Sequence, residues 1–129
     1  MQDNQIFKIA LLTSILGLSG MIFLSGVVVP QEFKINQITK NQIGEDISIN
    51  GLIRSVEAYD KNIYILSVID GTGEIKVVIF SSLASEFKRE GIDLKYFENR
   101  RAKIVGNVKE YQGSMELIAE NTKSIKITY

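Results

Sequence analysis

Two short stretches of this chain share one pattern. Ile47-x-Ile49-x-Gly51-x-Ile53 is echoed by Ala102-x-Ile104-x-Gly106-x-Val108, each an apolar alternation around a single glycine. Alternation with period two signals a strand with one buried face. A glycine inside such a run weakens a flat strand. It marks a sharp bend or a close backbone approach. Two long strands that both bend at a glycine suit a sheet that curls on itself, as a barrel does.

The remaining β-like runs complete the order. Ile63–Ile69 is rich in β-branched and aromatic residues and follows a polar loop, Ala58–Asn62. Asp70-Gly71-Thr72-Gly73 reads as a tight turn into a third strand, Ile75–Phe80. Ser82 is placed as a helix N-cap, Leu83 and Phe87 stand at helical spacing, and Gly91 follows the expected helix end. Tyr111-Gln112-Gly113-Ser114 is a turn between Ala102–Val108 and a fifth strand, Met115–Ala119, which Ser124–Ile127 could extend. Three strands, a helix and two strands is the order of the OB-fold, an all-β, five-stranded Greek-key barrel with one helix between strands 3 and 4.

Ahead of this lies a stretch of another kind. Residues Ile9–Val29 contain no charged side chain and hold 14 strongly apolar residues, three glycines and four Ser/Thr. As a helix, 21 residues span about 31 Å, close to the hydrocarbon thickness of a bilayer. A cleaved signal peptide has a shorter apolar region and ends in small residues, whereas here Phe23 and Leu24 stand where small residues would be needed. The expected organisation is an N-terminal tail over 1–8, a single transmembrane helix over 9–29 acting as a signal anchor, a juxtamembrane connector over 30–44 and an OB-fold domain over 45–129. The flanking charges are balanced, and the short tail favours the N-terminus inside with the domain outside.

Composition narrows the chemistry. The chain has 129 residues, 15 Lys plus Arg, 15 Asp plus Glu, and no His, Cys or Trp. Disulfides, Cys nucleophiles, His-based triads and the usual zinc and haem ligand sets are thereby excluded. No phosphate-binding glycine loop is present, because Gly71-x-Gly73 belongs to a hairpin turn. The expectation is a non-enzymatic protein without metal or cofactor.

The sequence also carries a family resemblance. Leu66-Ser67-Val68-Ile69-Asp70-Gly71-Thr72-Gly73-Glu74-Ile75-Lys76-Val77-Val78-Ile79-Phe80 resembles the second and third strands of nucleic-acid-binding OB domains. Such domains serve as anticodon-binding domains of class II aminoacyl-tRNA synthetases and occur in the large subunit of exonuclease VII. Ile104–Leu117 is similar to their fourth and fifth strands, and the likeness covers most of Glu45–Ile127. It implies a surface for single-stranded DNA or RNA on the outside of the first three strands and the loops after strands 1 and 4.

Strand parity selects the residues of that surface. With Ile75, Val77 and Ile79 inside, Lys76, Val78 and Phe80 face out. With Leu66 and Val68 inside, Ile65 and Ser67 face out, and Leu52 and Arg54 do the same on strand 1. The loops add Tyr59, Lys61, Lys109 and Tyr111. Aromatic rings to stack on bases, interleaved with cations for phosphates, are what a single strand needs. The candidate set is Arg54, Tyr59, Lys61, Lys76, Phe80, Lys109 and Tyr111. Residues 31–129 carry 14 basic and 14 acidic side chains, so the expected binding is weak and little selective. The other reading is a membrane-surface module for protein interaction or assembly, with no role in nucleic-acid binding. The architecture is also similar to that of the cytochrome c maturation protein E family. That family attaches haem through a histidine, which this chain lacks, so no haem is expected.

Overall fold

A computed structural model of the chain describes residues 29–128. The expected membrane-spanning stretch, residues 9–29, lies outside the described residues apart from Val29. No helix among the described residues is long and apolar enough to cross a membrane. The elements are β1 (Gln31–Glu32), β2 (Asp46–Tyr59), β3 (Ile63–Ile69), β4 (Glu74–Ile79), α1 (Ser81–Arg89), β5 (Arg101–Tyr111), β6 (Ser114–Ile118) and β7 (Ile125–Ile127), with short 3-10 turns between them.

β2, β3 and β4 form an antiparallel meander. β4 pairs in parallel with β6, β6 runs antiparallel to β5, and β5 returns to the first half of β2. These five strands close the barrel expected from the sequence. Its interior is filled by Ile47, Ile49 and Ile53 from β2, Leu66 and Val68 from β3, Val77 and Ile79 from β4, Ile104 and Val108 from β5, and Leu117 from β6, all fully buried. Each contributes about 1.5–3 kcal/mol by leaving water.

The two echoed stretches pair with each other, Ile47 opposite Gly106, Ile49 opposite Ile104 and Gly51 opposite Ala102. β2 exchanges partner β5 for β3 at Leu52, beside Gly51, and β5 exchanges β2 for β6 at Asn107, beside Gly106. A Cβ on Gly51 would lie 2.6 Å from the Ile69 carbonyl oxygen, and one on Gly106 would lie 3.0 Å from that of Ile118. The glycines let neighbouring backbones come this close where the strands bend. β2 has one further irregularity. A register shift between Ile53 and Ser55 leaves Ile53 and Val56 both inside and turns Arg54 outward.

Two differences from the sequence reading concern the barrel's edges. Residues 30–44, expected as a connector, fold onto the barrel. β1 lies parallel to β2, Gln31 opposite Ile47 and Glu32 opposite Ser48, and Ile35 and Ile38 enter the core. Two isoleucines in a short, otherwise polar segment are too few to establish a period, so only the packing reveals them. Ser124–Ile127 does not extend the fifth strand. The chain turns at Asn121, whose side chain accepts from the Lys123 N–H at 2.9 Å, and Ile125–Ile127 then becomes β7, antiparallel to β5.

Asp70 fastens the N-terminal segment. Its Oδ2 accepts from the Ile35 N–H (2.8 Å), and its Oδ1 accepts from the Thr72 hydroxyl (2.6 Å), the Thr72 N–H (2.8 Å) and the Gly73 N–H (3.2 Å). Burial pushes this carboxyl up. The hydrogen bonds from Thr72, Ile35 and Gly73 together outweigh it and hold the carboxyl below its ordinary value.

α1 begins two residues earlier than a cap at Ser82 implies. Phe80, still extended at φ −75 and ψ 165, occupies the N-cap without a capping side chain, so Ser82 lies within the first turn. The strand runs directly into the helix and leaves no room for a separate serine cap. The other end is as expected. Gly91 (φ +75) donates to Lys88 and Ile92 donates to Phe87, the paired bonds that terminate a helix at a left-handed residue.

Candidate nucleic-acid interface

The candidate surface is the outer face of β3, β4 and β6 with the adjoining ends of β2 and β5. Two rows of cross-strand neighbours cross it. One is Ser55, Ser67, Lys76, Glu116 and Lys109; the other is Glu57, Ile65, Val78, Ile118 and Asn107. The first row is polar. The second has an apolar centre, with Ile65 and Ile118 half-buried on either side of Val78.

Val78 has the expected parity but not the exposure that parity suggests. It faces away from the barrel interior, as expected, yet it is only 8% exposed. Ile65 and Ile118 flank it directly and shield it from water. Ile118 was not singled out in the sequence. Its position next to Val78 depends on the parallel β4–β6 pairing, which joins segments far apart in the chain.

The sequence-selected residues separate into three groups. Tyr59, opposite Ile63, and Phe80, just beyond Ile79, share the end of the face near the β2–β3 turn, which also carries Lys61. Tyr59 is 65% exposed and Phe80 47%, so both rings are open to a ligand. Lys76 and Lys109 occupy the middle, with Glu116 between them. Arg54 and Tyr111 belong to the opposite end. Tyr111 pairs with Ser114, which is level with Glu74, about 20 Å from Phe80 along the strands. Tyr59, Lys109 and Tyr111, expected in loops, are strand residues, because the pairing of β2 with β3 and of β5 with β6 continues to Tyr59 and Tyr111. The two tyrosines therefore bracket the face and do not share a pocket.

Carboxylates offset part of the positive charge. Arg54 Nη1 lies 4.0 Å from Glu74 Oε2, and the Ser67 hydroxyl donates to the same carboxylate. An exposed pair of this kind is worth little in stability and is screened by salt, but it lowers the local positive potential. Local conformation sets the end of β5. Gln112 (φ 50) and Gly113 (φ 81) form the two-residue turn that joins β5 to β6 and presents Tyr111. Among the described residues, no group of three or more acidic side chains converges as metal ligands would. Chemically, the face offers an apolar strip flanked on one side by two open aromatic rings and on the other by a polar strip of alternating charge.

Comparison with known proteins places this geometry. The fold is similar to part of the aspartyl-tRNA synthetase of Entamoeba histolytica, with TM-score 0.62 and 15% identity, covering 76% of this chain and 21% of that one. It is similar to an OBody bound to hen egg-white lysozyme, with TM-score 0.57 and 20% identity, covering 79% and 97% of the two chains. It is also similar to the second OB-fold domain of replication protein A from Methanococcus maripaludis, with TM-score 0.54 and 19% identity, covering 75% and 94%. The chain spans about a fifth of the synthetase's length. At these identities the likeness concerns the fold. No curated protein matches the sequence. Residues 47–125, which run from the first barrel strand to the start of β7, match the tRNA anticodon family. The chain belongs to this family of OB-fold nucleic acid binding domains.

Proposed function

We propose that the domain binds single-stranded DNA or RNA weakly, without marked sequence preference and without enzymatic activity. In this reading, residues 9–29 tether it to a membrane, with the N-terminus inside and the domain outside. The observation that carries the binding proposal is the open pair Tyr59 and Phe80 alongside the Ile65–Val78–Ile118 strip. Bases stack on such rings for about 1–3 kcal/mol each, whatever their identity. Lys76 and Lys109 lie within reach of the backbone, but Glu116 between them keeps the electrostatic contribution small.

Titration of a labelled oligonucleotide into the protein at several salt concentrations tests this. Phe80→Ala weakens binding by about tenfold, one stacked base, at every salt concentration. Lys76→Ala weakens it mainly at low salt. Absence of binding at millimolar protein and low salt would favour the second reading, a protein-interaction surface. The same apolar strip supports that reading, and the similar OBody is bound to lysozyme. A topology reporter fused after Tyr129 tests the orientation.

A further inference from the structure

The domain's charges balance in sum but not in position. β5 enters the barrel through Asn99-Arg100-Arg101-Ala102-Lys103. Ala102 and Ile104 are buried, so Arg101 and Lys103 stand on the outer side of the strand. β7 lies alongside with Ile125 buried, and its Lys126 is the direct cross-strand neighbour of Lys103. Like charges placed directly opposite are destabilising. Among the described residues, no carboxylate lies within 4.0 Å of Arg101, Lys103 or Lys126; the ion pairs found are Lys40–Glu110 and Arg54–Glu74. Glu32 on β1 accepts a hydrogen bond from Asn50, the β2 neighbour of Lys103.

An aromatic ring packs on the residue that precedes Arg101. Tyr96 is 55% exposed, and the Arg100 guanidinium lies 4.4 Å from its ring centre. The cluster also connects to the front face. Ile53 donates to the Arg100 carbonyl at 2.8 Å and accepts from the Asn99 N–H at 2.7 Å, which brings Arg54, the next residue, beside the start of β5.

We propose that Arg101, Lys103 and Lys126 form a second contact for the phosphate backbone of a single-stranded nucleic acid, reached from the β3–β4–β6 face by way of Arg54. This rests on the single-strand reading above. An uncompensated, closely spaced cation cluster on a sheet complements a chain of phosphates. The front face, where Glu74 and Glu116 stand among the cations, supplies stacking. The two surfaces thus divide the interaction, apolar and base-directed in front, electrostatic on the β5–β7 flank.

The test uses the full chain in neutral detergent and a labelled oligothymidylate of about 16 nucleotides, the upper site size of one OB-fold. The triple variant Arg101→Gln, Lys103→Gln, Lys126→Gln removes the three charges, keeps polar, unbranched side chains and leaves the buried residues of both strands intact. It is expected to bind about tenfold or more weakly at low salt, to approach the parent at high salt, and to reduce the log–log salt slope by about 2 for three lost phosphate contacts. Phe80→Ala is expected to leave the slope unchanged. An unaltered slope and affinity in the triple variant, with Phe80→Ala still weakened, overturns the flank contact and leaves the front-face reading intact. A weakened triple variant with Phe80→Ala unaffected overturns the front-face reading and assigns binding to the flank. Loss of all binding in the parent overturns both.

Discussion

β2 and β5 have the same sequence pattern and related positions, yet their structures differ. Each bends beside a glycine, exchanges one partner strand for another, and has a short strand on a free edge. At Gly51 a Cβ would meet the Ile69 oxygen at 2.6 Å and Val68 Cγ1 at 2.8 Å; at Gly106 it would meet the Ile118 oxygen at 3.0 Å and Leu117 Cβ at 3.1 Å. β2 adds a bulge just after its bend. Its edge is covered by a parallel strand held by the Phe33 N–H on the Ser48 carbonyl (2.8 Å) and by the Ile35 N–H on the Asp70 carboxylate, whereas β5's edge is covered by an antiparallel strand, with Thr128 donating to the Arg101 carbonyl at 2.8 Å and no carboxylate involved. A repeated pattern therefore specifies a repeated bend. How tightly the bend is packed depends on the strand crossing it.

The largest expected effect breaks the comparison at its tightest point. Gly51→Val should destabilise the domain by about 3 kcal/mol, because backbone as well as side-chain atoms must move, while Gly106→Val should cost about 1–2 kcal/mol. Urea unfolding of the two variants checks the order. Equal losses would mean that the two approaches are equally tight in solution.

The next effect concerns what covers the edges. Ile35→Ala removes a buried side chain from the segment after β1 and should cost about 2 kcal/mol. Ile125→Ala, on β7, is expected to cost a similar amount. Unfolding of both variants would show whether residues 30–44 contribute to the folded domain as strongly as its C-terminal strand does. An Ile35→Ala variant as stable as the parent would make the segment a passive connector.

The smallest effect distinguishes the two edges by pH. Asp70 has a depressed pKa, so the stability it lends is fully present above the unfolded-state value of about 3.9 and is lost as pH falls through its lower folded value. On acidification, the Phe33 and Ile35 amides should lose hydrogen-exchange protection before the amides of β7. Asp70→Asn should make their protection independent of pH over that range. Simultaneous loss at both edges in the parent would show that the carboxylate does not control the β1 edge.

The order of strands, the glycines at the bends, the Asp70–Gly73 and Tyr111–Ser114 turns and the helix end at Gly91 were all legible in the chain, because period, turn chemistry and backbone freedom act over a few residues. The outward parity of Lys76, Val78 and Phe80 was legible for the same reason. The burial of Val78 was not, since it depends on Ile118, some forty residues away, arriving beside it through the β4–β6 pairing. Nor was the company kept by the cations. Arg54 faces Glu74 and Lys76 adjoins Glu116, while Lys103 faces Lys126, although all were simply charges on a neutral domain when read along the chain. Ile35 and Ile38 looked like apolar residues scattered in a polar connector until closure of the barrel provided a core for them to enter. Local sequence determined what each segment is. Which segments meet, and hence what each face offers a ligand, was decided by barrel closure, because the contacts that bury a residue or offset a charge come from distant parts of the chain.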